Sequence, residues 1–251
     1  MIERHALITG GGTGIGAAIA RALACEGCRL TLVGRKPEPL RTLAEELPRA
    51  QAISADVTRH ESVTQAFDEA RSAFGPVDVL VNNAGAAPTA PFHKLDSNSW
   101  RQVMAVNLDG VFNCTHATID SMLEAGWGRI VNIASTAALR GYAYVSAYSA
   151  AKHGVLGLTR SLALETAKKG ITVNAICPGY ADTDIIRNSV AQIIEKTGRS
   201  EAEALASFTD SNPQGRLIQP QEVADTVVWL CGDGARSVTG SAISVSGGEV
   251  M

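Results

Sequence analysis

The sequence predicts a doubly wound α/β fold with a seven-stranded, mainly parallel sheet and helices on both faces. Three observations carry that expectation. Strand and helix patterns alternate along the whole chain, which implies parallel strands joined by right-handed crossovers. Several apolar runs are continuous and β-branched instead of alternating, as strands buried on both faces require. The first run passes into a glycine-rich loop and then a helix pattern, the order in which such sheets build a ligand-binding edge.

Taken in order, apolar runs at 5–9, 30–33, 52–55, 77–81, 129–133, 172–176 and 242–245 predict the strands. Helical spacing between them predicts helices over about 14–26, 38–47, 60–74, 97–125, 147–169 and 220–232. One segment breaks the rhythm. Between Pro178 and Pro220 no strand pattern appears, and 184–212 reads as one or two amphipathic helices. Ile185, Ile186, Val190, Ile193 and Ile194 stand there at helical spacing, Gly198 interrupts, and Ser200 is placed to cap a second helix. Such long excursions are usually functional. No internal repeat, low-complexity segment or linker divides the 251 residues, so one domain is expected over 1–251.

Composition narrows the class. Hydrophobic residues make up 45% and charged residues 19%, enough apolar material for a large core. The net charge is −3 and no basic stripe is visible, which argues against a nucleic-acid partner. No apolar run reaches the roughly eighteen residues of a membrane span. A strand pattern starting at His5 leaves no room for a signal peptide, so a soluble cytoplasmic protein is expected. Cys25 and Cys28 form a Cys-x-x-Cys, which a redox or zinc site could use, but no second close pair accompanies it. Packed or partly exposed thiols are the simpler reading. The five histidines show no metal-ligand spacing, and no metal site is expected.

The glycine loop reads Thr9-Gly10-Gly11-Gly12-Thr13-Gly14-Ile15-Gly16. Glycine permits tight turns and close approach of backbone to a pyrophosphate, and a helix N-terminus offers free N–H groups and positive dipole density. Alone the pattern is weak; between a strand and a helix it has the required context. Gly10, Thr13, Gly14, Ile15 and Gly16 are the candidate cofactor contacts. At the end of the second strand, a carboxylate would accept from the ribose hydroxyl of NAD. Here the chain reads Val33-Gly34-Arg35-Lys36. Arg35 can instead pair with a 2′-phosphate, so NADP(H) is the expected cofactor, with NAD(H) still possible.

Tyr148 and Lys152 stand four apart on a predicted helix and share a face. That pair alone is weak, but Ser135 follows a predicted strand and Asn107 lies inside a predicted helix, where its propensity is poor. The residue types suit carbonyl reduction. A tyrosine phenol, with a reference pKa of about 10, needs help to exchange a proton near neutrality. A neighbouring ammonium such as Lys152 favours the phenolate, and a Ser135 hydroxyl can stabilise charge building on a carbonyl oxygen.

With these motifs, from His5 to the last residues, the chain resembles the short-chain dehydrogenase/reductase family. Its Gly10-x-x-x-Gly14-x-Gly16 spacing matches that family's loop rather than the ordinary Gly-x-Gly-x-x-Gly. The resemblance implies a Rossmann-like domain with Asn107, Ser135, Tyr148 and Lys152 as the catalytic set, Asn107 holding a relay water and Tyr148 and Lys152 also meeting the cofactor. It implies that Asp56 and Val57 hold the adenine, that Asn83 lies beside the cofactor, and that Pro178, Gly179 and Thr183 turn beneath the nicotinamide. It makes about 184–215 a substrate lid and the protein a homotetramer, a state to which apolar residues such as Val111, Leu156 and Leu164 would contribute. Within the family the sequence looks most like 3-oxoacyl-thioester reductases and polyketide ketoreductases. The alternatives are a 3-hydroxybutyrate dehydrogenase or other secondary-alcohol oxidoreductase, and an NADP-binding regulator without activity. Ala86-Ala87-Pro88, 136–144 and Tyr180 are the expected pocket walls, with Tyr142 and Tyr144 among them. Arg140, Arg187, Arg199 and Arg216 either attract an anionic substrate or are solvated surface charge. Ser246 and Asp184 depart from common family residues and leave the lid packing open.

Overall fold

The computed structural model of the chain describes residues 3–251. Seven strands form: β1 (His5–Thr9), β2 (Arg29–Gly34), β3 (Ala50–Ser54), β4 (Val79–Asn82), β5 (Gly128–Ile133), β6 (Ile171–Pro178) and β7 (Ala242–Val245). They make one sheet in the order β3-β2-β1-β4-β5-β6-β7, parallel at every pairing. The connections carry helices α1 (Gly14–Cys25), α2 (Pro37–Glu46), α3 (His60–Phe74), α4 (Ser97–Met104), α5 (Gly110–Ala125), α6 (Ser146–Thr166), α7 (Asp184–Thr197), α8 (Glu201–Thr209) and α9 (Pro220–Cys231). The expected Rossmann-like sheet is present.

The two-residue period of the strands sorts their side chains onto two cores. Ala6, Ile8, Leu30, Leu32, Val79 and Val81 pack with Ile19 and Leu23 of α1, Leu40 of α2, and Val223 and Val227 of α9. Leu7, Val33 and Leu80 turn the other way, onto Val63 and Phe67 of α3 and Cys114 and Met122 of α5. Each large side chain fully buried in this way contributes about 1.5–3 kcal/mol. The strands β1, β5 and β6 are buried at every residue, whereas the edge strands β3 and β7 are mostly part-exposed. Val111 and Leu156 do not need a partner subunit, because they pack inside the chain with Val155, Ala175 and Cys177. Leu164, 83% exposed, and Phe112, 52% exposed, are the most uncovered large apolar residues of those helices among the described residues.

The stretch 97–125 is not one helix. Asp96 caps α4 by accepting from the Ser99 N–H at 2.7 Å. A π-helical turn over Ala105–Asp109 then separates α4 from α5. Its cause is visible: the Asn107 side chain donates to the Val103 carbonyl at 2.9 Å, competing for the helix's own acceptor and widening the turn. Asn82, Thr115, Asn132 and Thr159 form a buried polar ladder just below the carboxyl edge. The Asn82 amide donates to Thr115 at 3.1 Å and to Asn132 at 2.9 Å, and the Asn132 amide donates to Thr159 at 2.9 Å. The ladder fixes β4 and β5 to α5 and α6.

The excursion after β6 is two helices, as its pattern predicts. Gly198 ends α7 in the left-handed conformation (φ +69), and Ser200 with Glu203 forms a capping box for α8. Ile186, Val190 and Ala204 bury one another, flanked by Tyr180, Ile193, Ile194 and Phe208. Ile185 departs from this face; it is 61% exposed and borders the cleft described below.

The turn from β1 into α1 is packed without slack. A Cβ on Gly16 would lie 2.2 Å from the Gly10 carbonyl oxygen, a backbone atom that cannot step aside. Gly16→Ala is therefore expected to cost about 1–3 kcal/mol of overpacking strain. A thermal unfolding midpoint equal to that of the unaltered chain would contradict this packing.

Candidate active site

A cleft of about 420 Å³ opens at the carboxyl edge of the sheet, where the strand order reverses between β1 and β4. One side is the loop from β1 into α1. Gly10 and Gly14 take left-handed backbone (φ +64 and +53), which the absence of a side chain permits. Thr13 caps α1 with extended backbone and no side-chain bond, leaving the first-turn N–H groups open to a ligand. Across the cleft, Thr183 heads α7, and its methyl group lies 3.2 Å from where a Gly14 Cβ would be. Asn83 lines the cleft, but its amide donates to the Thr9 and Gly10 carbonyls at 3.0 and 3.1 Å, clamping the glycine loop to β4.

Ser135, Tyr148 and Lys152 meet on the wall contributed by β5 and α6. The Ser135 hydroxyl accepts from the Ala137 N–H at 3.1 Å and lies beside the Tyr148 phenol. Burial raises the Tyr148 pKa, and Ser135 pulls it back. Lys152 is buried, with Nζ 5.6 Å from the Tyr148 ring centre, and donates to the Ile133 carbonyl at 2.8 Å. Burial drives its pKa down to about 8. Asn107 is fully buried behind this group. Its amide donates to the Ala86 and Val103 carbonyls at 2.8 and 2.9 Å, while Oδ1 accepts from the Ala86 N–H at 3.2 Å. Both amide protons are thus engaged, and only Oδ1 has capacity left for a water. Gly85 has to be small, since its Cβ would sit 2.8 Å from that oxygen.

Arg35, Asp56 and Val57 lie beyond the cleft proper, at the ends of β2 and β3. Burial raises the Asp56 pKa, but hydrogen bonds from Thr58 and the charges of Arg35 and Arg59 outweigh it and hold the carboxyl low. Val57 is buried, and its carbonyl accepts from Asn113 at 2.9 Å. Arg35, Lys36 and Arg59 are exposed and make no ion pair among the described residues. Free helix N–H groups at one end and unpaired cations with no carboxylate at Gly34 at the other suit a dinucleotide bearing an extra phosphate.

Sequence reasoning missed several residues. Arg59 follows Asp56-Val57-Thr58 and would have been found by the logic applied to Arg35. Val145, Ser189 and Phe208 line the cleft without a motif to mark them. Glu249, nearly buried, accepts from the Tyr142 hydroxyl at 2.7 Å and from Ser211 at 3.0 Å. Of the expected walls, Ala86, Ala87, Thr136, Ala137, Tyr142 and Tyr180 border the cleft, but Pro88, 138–141, Ala143 and Tyr144 do not. Of the four arginines, Arg187 pairs with Asp182 at 3.0 Å and Arg216 with Glu222 at 2.7 Å. Arg140 stacks 4.7 Å over the Tyr142 ring, and Arg199 is exposed. A second cavity of about 490 Å³, lined by Trp127, Arg129, Asp233 and Arg236, opens at the opposite edge of the sheet. It lies away from all these groups, and Arg129 caps the Gly128 and Gly170 carbonyls there.

Comparison with known proteins agrees with this geometry. The short chain dehydrogenase family profile matches residues 4–194. An acetoacetyl-CoA reductase of Rhizobium meliloti is 40% identical over 248 residues, covering 99% of each chain. A D-beta-hydroxybutyrate dehydrogenase of the same organism is 36% identical over 254 residues, covering 98% of each. The crystal structure of a variant actinorhodin polyketide ketoreductase with NADPH superposes with a TM-score of 0.94 at 41% identity, covering 98% of this chain and 97% of that one.

The buried lysine should leave a signature in stability. Its pKa falls from 10.5 to about 8 on folding, so between those values the unfolded chain binds more protons. The cost of burying the ammonium is complete below about pH 8 and is relieved as pH rises toward 10.5. Relative to Lys152→Met, the unaltered chain is expected to gain stability across that window in denaturant titrations. A difference that stays flat with pH would contradict the assigned burial.

Proposed function

The chain belongs to the short-chain dehydrogenase family, and on that premise we propose that it is an NADPH-dependent reductase of 3-oxoacyl thioesters, reversible as a 3-hydroxyacyl dehydrogenase. The observation that carries the proposal is the convergence of Ser135, Tyr148 and Lys152 in one cleft, reached from a strand that ends in Gly34-Arg35 and not in an acid. Relatives named as an acetoacetyl-CoA reductase and a polyketide ketoreductase support the substrate class.

When bound, NADPH supplies the hydride for the carbonyl carbon. The rest of the chemistry belongs to the chain. Tyr148 holds the proton that passes to the carbonyl oxygen. Its phenol, raised by burial, stays protonated before transfer. Ser135 stabilises charge on the same oxygen. Lys152 is held by Ile133 and, as an ammonium, keeps two further donors for the cofactor ribose. Proton supply runs past the remaining lone pair of Asn107 through water. Gly10, Thr13, Gly14, Ile15, Gly16, Asp56, Val57, Asn83, Pro178, Gly179 and Thr183 cradle the dinucleotide, and Arg35 with Arg59 takes the 2′-phosphate. Helices α7 and α8 serve as the substrate lid. The exposed Phe112 and Leu164 suit a homo-oligomer, a tetramer by the family's habit.

Loss of reduced-nicotinamide absorbance with acetoacetyl-CoA, followed with NADPH and NADH in parallel, tests the whole reading. NADPH should be preferred tenfold to a hundredfold, since each charge-assisted bond contributes about 1.5–3 kcal/mol. Arg35→Asp should invert that ratio; an unchanged ratio would remove Arg35 from the cofactor site. Tyr148→Phe should retain NADPH binding while turnover falls by at least about a hundredfold. Near-normal turnover in that variant would exclude the phenol as the acid.

A further inference from the structure

Resting on the reductase reading, we propose that Glu249 sets the substrate class: its carboxylate, standing one layer behind the cleft wall, disfavours acyl groups that end in a free carboxylate and favours neutral 3-oxoacyl derivatives. Glu249 follows β7 and is 9% exposed. One carboxylate oxygen accepts from the Tyr142 hydroxyl at 2.7 Å and from the Ser211 hydroxyl at 3.0 Å. The other lies 3.0 Å from where a Gly179 Cβ would be, so no side chain stands between it and the Gly179 backbone. Tyr142 and Gly179 both line the cleft. The charge therefore sits directly behind two wall residues, and both of its hydroxyl partners leave it uncancelled.

No cation answers it. Among the described residues Glu249 makes no ion pair. Arg140 lies over the Tyr142 ring and is exposed, where water screens it. Arg187 is paired with Asp182, and Arg216 with Glu222. Asp184 also borders the cleft, but its charge is answered by Arg187 at 3.7 Å, which leaves Glu249 as the uncompensated carboxylate. Lys152 is the basic group of the lining, and it is anchored on the Ile133 carbonyl beneath Tyr148. A substrate carboxylate placed against Tyr142 would meet repulsion through a wall of low dielectric, where like charges interact more strongly than in water. A thioester or ester carries no such charge. The same carboxylate also joins Ser211, just past α8, to Tyr142, so hydroxyls from two separate segments hold its position.

The test compares ethyl acetoacetate with acetoacetate, a neutral and a charged form of one 3-oxoacyl group, with saturating NADPH at low salt. The unaltered chain and Glu249→Asp should both prefer the ester. Glu249→Gln keeps an acceptor for Tyr142 and removes the charge. It should lower KM for acetoacetate on the order of tenfold while leaving kcat and the ester's KM near their starting values. A merely structural role would move both substrates together, and that result overturns the proposal. An ester-to-acid ratio unchanged in Glu249→Gln also overturns it while leaving the reductase reading standing. Failure of the unaltered chain to reduce either compound overturns the reductase reading and this inference with it.

Discussion

The requirement that a parallel sheet be covered on both faces governs everything at the cleft. Parallel strands need crossovers, the crossovers lay helices on each face, and all the strands then finish at one edge. That edge collects the loop after β1, the Asn83 segment after β4, Ser135 after β5 and Gly179 after β6. None of these residues is near another in sequence. The reversal of strand order between β1 and β4 parts the helices there and leaves room for a ligand. A slip of one residue in β5 would turn Val131 and Ile133 from one core to the other and carry Ser135 with them.

Buried polar groups then fix the site to that frame. Asn107, Lys152, Asn82 and Asn132 are all buried, and each has hydrogen-bond partners. Unpaired, each would cost about 1–3 kcal/mol, so the partners dictate orientation. Lys152 is the clearest case. Among the described residues the Ile133 carbonyl is its hydrogen-bond partner, and burial weakens its hold on the proton. Burial acts in the opposite direction on the Tyr148 phenol and raises its pKa. The expectation that Lys152 lowers the tyrosine pKa is therefore not met: the group that opposes burial at Tyr148 is Ser135, while the Lys152 ammonium is turned to the Ile133 carbonyl.

Most of the sheet was legible because its signal is local: continuous apolar runs and glycine punctuation depend on a few adjacent residues. The capping box at Ser200 and the stop at Gly198 were legible for the same reason. What escaped was non-local. The π turn at Asn107 arises because an amide side chain competes for the Val103 carbonyl while also reaching Ala86, and helical periodicity cannot register that. Val111 and Leu156 looked like spare apolar surface, but they belong to one buried cluster with Ala175 and Cys177 of β6. Tyr144 looked like a wall residue, yet it takes left-handed backbone (φ +68), is 64% exposed and does not line the cleft. Glu249 had no motif at all; its contacts to Tyr142 and Ser211 span 107 and 38 residues.

The charges are sorted along the binding edge. Arg35, Lys36 and Arg59 cluster beyond β2 and β3, where Arg35 and Arg59 act on the Asp56 carboxyl but make no ion pair among the described residues, while Glu249 stands behind Tyr142 and Gly179 with Arg140 stacked over the Tyr142 ring. A net charge of −3 says nothing of this arrangement; only the fold separates the two groups. Under the proposed function the separation has a direct consequence. An anionic phosphate is drawn to the β2–β3 end, and a neutral acyl group is tolerated at the Tyr142 end, so the two ligands are told apart by charge before any fine contact forms. The same polarity opposes reversed binding of the dinucleotide, since a phosphate placed against Glu249 would be repelled where Arg35 would attract it.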